Sequence, residues 1–144
     1  MTAYQGTLAA INELDTALTT YLRARDEARL EAYRKAGHND AAAVMDVMQK
    51  ADHFSTAVIE NDKAKADEQL PGLEAALAEL RKSEAAMKSD DPNKTEFSQI
   101  LTYITAMVGY YRDYKQSGSD NYREYVVDNY NRAVDQVNDL ELPA

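Results

Sequence analysis

Residues 94–116 read KTEFSQILTYITAMVGYYRDYKQ, and this stretch decides the fold. Phe97, Ile100, Leu101, Ile104, Met107, Val108 and Tyr111 recur at spacings of one, three and four. At about 100° per residue this lays them in one broad stripe along a helix; a strand would need alternation at every second position. So broad a stripe calls for cover from several sides and predicts a central helix in a bundle. Upstream, Ser89-Asp90-Asp91-Pro92-Asn93 reads as a loop, with Asp91 as the N-cap and Pro92 in the first helical position. Downstream, Ser117-Gly118-Ser119-Asp120 reads as a turn. A last helix is expected from about Asn121 to Leu140, with Val126, Tyr130, Ala133, Val137 and Leu140 on its apolar face and Pro143 in the tail.

Toward the N-terminus the same period continues. Residues 3–36 form one long predicted helix, with Leu8, Ile11, Leu14, Leu18, Tyr21 and Leu22 in its stripe. The stripe thins to Ala28 and Ala32, so Arg23 to Lys35 is expected to be the better exposed half. Gly37 stands where a C-terminal glycine ends a helix. After the turn at His38-Asn39-Asp40, where Asn39 or Asp40 can cap, a helix carries Val44, Val47, Met48, Ala51, Phe54, Val58 and Ile59. Glu60 to Gln69 is polar and reads as a solvated extension or a fraying end. Leu70-Pro71-Gly72-Leu73 is the expected break or kink, because proline lacks an amide hydrogen and clashes with the preceding turn. Leu73, Leu77, Leu80 and Met87 give the next face, ending by Lys88. No alternating apolar run marks a strand. The reading is all-α: an antiparallel bundle of four to five amphipathic helices in one domain spanning residues 1–144.

Composition narrows the function. The chain has 16 basic and 25 acidic residues, a net charge of −9, which argues against nucleic acid or an anionic membrane as the main partner. It has no cysteine, which excludes disulfides and thiolate chemistry. No run approaches the roughly 20 apolar residues of a membrane span. His38 and His53 lack the Glu-x-x-His spacing of a di-metal bundle, since Lys35 and Lys50 stand three residues before them. Asp26/Glu27, Asp67/Glu68 and Asp90/Asp91 read as solvated faces or caps rather than acid–base pairs. There is no nucleophile elbow and no glycine-rich phosphate loop. The expectation is a non-enzymatic protein with no cofactor and no metal.

Tyrosine is the distinctive residue. Seven of the ten fall between residues 103 and 130. Tyr103, Tyr110 and Tyr114 share a helical face, and with Tyr122 and Tyr125 they form the candidate protein-contact surface. Tyrosine suits interfaces because its ring packs while its hydroxyl stays wet. The alternative is a set of bundle-edge aromatics.

The terminal run Tyr130-Asn131-Arg132-Ala133-Val134-Asp135-Gln136-Val137-Asn138 resembles the Tyr-Asn-x-x-Val-x-x-x-Asn signature of the YiiG-like family of bacterial proteins. The stretch from Asp67 through Pro71 to Leu77 is similar to a segment of that family in which a proline precedes a Leu- and Ala-rich helix. The resemblance implies an envelope lipoprotein without assigned activity. This chain has no signal-peptide start and no lipid-acceptor cysteine, so any lipid anchor would lie outside these residues. From the residues themselves, Tyr130 and Val134 are one turn apart and should pack together, while Asn131 and Asn138 share a face. The first functional expectation is a bundle of the periplasm or cell envelope acting through protein contacts. The alternative is a cytoplasmic acidic inhibitor or antitoxin-like protein that binds a basic partner. A carboxylate-rich enzyme or metal bundle ranks last.

Overall fold

The computed structural model describes residues 3–143 and contains five helices, with no strand among those residues. They are α1 (Ala3–Ala36), α2 (Asn39–Ile59), α3 (Lys63–Ala86), α4 (Lys94–Ser117) and α5 (Asp120–Asn138). α2 packs on α3, α3 on α4, α4 on α5 and α5 back on α2, which closes an up-down-up-down ring. α2 also meets α4 across the diagonal, and α1 leans on α2 from outside.

The stripe of α4 is the centre of this ring. Phe97, Ile100, Ile104, Met107 and Tyr111 are completely buried. Val44, Val47, Phe54 and Val58 of α2, Leu73 and Leu80 of α3, and Val126 of α5 close around them. α5 reaches across to the end of α2, where Arg123 Nε donates to the Val58 carbonyl at 3.0 Å and Nη2 donates to the Ile59 carbonyl. A cation bonded to the orphan carbonyls of a C-terminus satisfies them and complements the helix dipole.

Two turns bear out their sequence signals. Gly37 sits at φ 77, the His38 amide donates to the Tyr33 carbonyl and the Gly37 amide to that of Arg34, the paired bonds of a Schellman end. Gly118 sits at φ 71 and its amide donates to the Tyr114 carbonyl at 2.7 Å.

Leu70-Pro71-Gly72-Leu73, expected as a break or kink, does not break the helix: α3 continues through Pro71 and the break lies at residues 60–62. Asn61 takes the left-handed φ of 57, and the Asp62 amide donates back to the Ala57 carbonyl. Asp62 then caps α3 by accepting from the Lys65 amide at 3.0 Å. An asparagine stop followed by an aspartate start outweighs the proline, whose substitution for an amide costs one ladder bond on an exposed face. Two expected caps also differ. α4 begins at Lys94, so Pro92 precedes the helix, and Asp91 accepts from the Asn93 amide at 2.8 Å within the loop. Asn39 opens α2 itself, preceded by His38, which makes no side-chain cap bond.

Most of Arg23 to Lys35 is exposed as expected, but Leu30 and Tyr33 are buried, and Leu18 and Tyr21 of the expected apolar stripe are 53% and 64% exposed. The stripe residues Leu8, Ile11 and Leu14 lie outside the side chains described. At about 1.5 Å per residue, α1 is roughly 51 Å long and α2 roughly 32 Å, so only the C-terminal part of α1 has a neighbour of matching length. Leu80→Ala is therefore expected to lower stability by about 2–5 kcal/mol, and Leu18→Ala to change it by less than about 0.5 kcal/mol, in urea unfolding. Pro71→Ala should raise stability by up to about 3 kcal/mol by restoring the missing amide.

Candidate functional site

The tyrosines of α4 and α5 divide into an inward and an outward group. Tyr111 is fully buried, edge-on to Phe54 with ring centroids 5.0 Å apart. Its hydroxyl donates to Asp67 Oδ1 at 2.7 Å, and Lys115 Nζ donates to the same oxygen at 2.9 Å. Hydrogen bonds from Lys115 and then Tyr111 hold the Asp67 carboxyl below its usual range, and burial pushes the Tyr111 hydroxyl well above its own. Tyr114, predicted on the contact face, is buried. Its hydroxyl donates to Asn61 Oδ1, and Lys63 and Arg123 lie 4.8 and 5.9 Å from its ring centroid. It fastens the α2–α3 turn rather than facing a partner.

Tyr110, Tyr122 and Tyr125 come together. Ring centroids are 5.2 Å apart for Tyr110 and Tyr125, 6.3 Å for Tyr110 and Tyr122, and 6.0 Å for Tyr122 and Tyr125. Tyr110 and Tyr122 are half-buried, and Tyr125 is 43% exposed. Tyr103, half-buried two turns earlier on α4, makes no ring contact with this trio.

Among the described residues, the exposed large hydrophobic side chains are Leu18, Tyr21, Ile59 and Tyr125. All four belong to one end of the bundle. Ile59 is the last residue of α2, and Tyr125 lies in the second turn of α5. Arg23 fixes the level of α1, since its Nε donates to Asp52 Oδ2 at 2.9 Å and its Nη2 reaches Thr56 Oγ1 at 3.4 Å, placing Leu18 and Tyr21 near the end of α2. The opposite end is closed. Asn93 exchanges two hydrogen bonds with the Glu141 backbone, at 2.8 and 2.9 Å, and Tyr33 donates to the Pro143 carbonyl at 2.7 Å.

The terminal motif lies elsewhere. Tyr130, Val134 and Asn138 line a cleft of about 290 Å³ between α1, α2 and α5, and Tyr130 and Val134 both pack against the core. Asn131 and Asn138 are both exposed, and only Asn138 borders the cleft. Burial, then the negative charge of Asp52, pushes the Tyr130 hydroxyl up to about 12, with Arg23 opposing. His53 is exposed at the cleft edge and His38 in the first turn; no group of three potential ligands is placed to hold a metal among the described residues. No helix among them is long and apolar enough to cross a membrane. The Arg23–Asp52 fork and the Asn93 clamp were not foreseen. An arginine in an otherwise thinning stripe was the only signal for the first, and nothing local marked the second.

Comparison of the chain with protein-family models, curated proteins and solved structures finds no match.

A raised tyrosine pKa favours folding while the unfolded tyrosine is still neutral and loses that contribution as pH rises toward the folded value. The chain is therefore expected to lose stability between about pH 10 and pH 12, and Tyr130→Phe to shrink that loss. Thermal melts at pH 8, 10 and 11 check this. An identical alkaline fall in wild type and variant would contradict it.

Proposed function

We propose that the protein is a non-enzymatic protein-binding bundle whose partner docks at the end formed by the start of α5, the end of α2 and the flank of α1. One observation carries this reading: the large exposed hydrophobics Leu18, Tyr21, Ile59 and Tyr125 gather at that end, while the other is closed by its own tail. Scattered surface hydrophobics need no explanation, but four at one end, near a trio of packed tyrosines, match the composition that interfaces favour. Tyr122 and Tyr110 extend the surface with half-buried rings, which lose little conformational entropy on binding. Tyr114 belongs to the turn beneath it and is not a contact residue. The envelope setting comes from the resemblance of the terminal motif to the YiiG-like family. The exposed hydrophobics at this end support the contact surface independently of that resemblance.

A photo-reactive residue placed at Tyr21, Ile59 or Tyr125 is expected to cross-link one common protein in the native cells, and one placed at the exposed Lys88 of the opposite end is expected not to. The adduct should persist at high salt, because apolar contacts are not screened. Adducts only from Lys88, or a capture lost steeply with salt, would favour an acidic binder of a basic partner instead.

A further inference from the structure

The cleft between α1, α2 and α5 is separate from that docking end, and its lining is unusual in two respects. Its walls carry three arginines, Arg23, Arg25 and Arg29, and three carboxylates, Asp26, Glu27 and Asp52, an even balance in a chain of net charge −9. Within it, the Gln49 side-chain amide nitrogen is buried and has no hydrogen-bond partner among the described residues. A buried donor left unpaired is costly, and a ligand acceptor at that point would recover the cost.

The charges are not equally available. Arg23 and Asp52 satisfy one another through a fork at 2.9 and 3.4 Å, and Arg29 Nε donates to the Tyr33 hydroxyl at 2.8 Å. Arg25 is only 3.7 Å from Asp26, beyond hydrogen-bond length, and its side chain is largely exposed. Arg25, Asp26 and Glu27 thus present one cation and two carboxylates together on the chain at the rim, and Arg29, bonded to a neutral hydroxyl, keeps its charge two residues further on. Met45, Met48, Val134 and Val137 line the cleft with apolar surface. A space of about 290 Å³ is at the small end for ligand sites, so the occupant is smaller than a typical drug-sized molecule.

We propose that this cleft binds a free amino acid with an apolar side chain. The carboxylate accepts from Gln49 and pairs with Arg25, the ammonium pairs with Glu27 and Asp26, and the side chain lies on the methionines and valines. Each ligand charge then meets its opposite. A bare carboxylate would face Asp26 and Glu27 uncompensated, and a bare amine would leave Gln49 unpaired and meet Arg25. The Tyr130 hydroxyl stays protonated at neutral pH and adds a second donor to the lining.

Calorimetric titration of the full chain with phenylalanine, 3-phenylpropanoate and 2-phenylethylamine tests this. Phenylalanine is expected to bind saturably at one site and to raise the melting temperature, and the other two to bind about tenfold more weakly or worse. Glu27→Gln, on an exposed position, should weaken phenylalanine about tenfold at unchanged melting temperature, and Gln49→Leu should weaken it as well. Absence of binding by phenylalanine, equal binding of the carboxylate or the amine, or unchanged binding by Glu27→Gln would overturn the proposal.

Discussion

The structure depends on a match of lengths. Four helices of 21, 24, 24 and 19 residues close around the stripe of α4, each with neighbours of similar length. Tyr111 ties the ring at its core: its ring meets Phe54 of α2 and its hydroxyl reaches Asp67 of α3. The fifth helix has 34 residues and no partner of that length. It can only attach by part of itself, and it attaches where Leu30 and Tyr33 find cover.

That mismatch gives the bundle two different ends. At one, the tail folds back, Asn93 clamps Glu141, and Tyr33 holds Pro143. At the other, the polar work is done inside the fold: Arg123 caps α2 and Tyr114 fastens the turn at Asn61, so the apolar side chains outside them are left to face solvent. Between the two ends, α1 lies against α2 through the Arg23–Asp52 fork, and the space left between it and α5 is the cleft. The cleft and the exposure of Leu18 and Tyr21 both follow from one helix being too long for its neighbours.

Much of this was legible in the residues. The bounds of α1, the glycine stops at Gly37 and Gly118, and the central place of α4 follow from periodicity and from the left-handed backbone that glycine tolerates. The α2–α3 turn was written as Asn61-Asp62, a weaker punctuation than Pro71-Gly72, and tertiary bonds to Tyr114 and Arg123 decided between them. That Leu30 and Tyr33 are covered while Leu18 and Tyr21 are not could not be read, because amphipathicity says that a face seeks cover and not which partner is long enough to give it. Of the tyrosines read as a candidate contact face, Tyr110, Tyr122 and Tyr125 meet and Tyr114 turns inward, while the exposure of Tyr21 depends on a packing level set by Arg23 that no local pattern marks.

The measurement that bears most directly on this account uses the absence of native cysteine. Single cysteines at positions 18, 21, 30 and 33 are reacted with a maleimide in native buffer, with unfolded protein as the reference. The account predicts that positions 18 and 21 label nearly as fast as the unfolded chain, and that 30 and 33 label only on unfolding. Protection at 18 and 21 together with free labelling at 30 and 33 would show that α1 packs by its other half and would remove the basis for the exposed end.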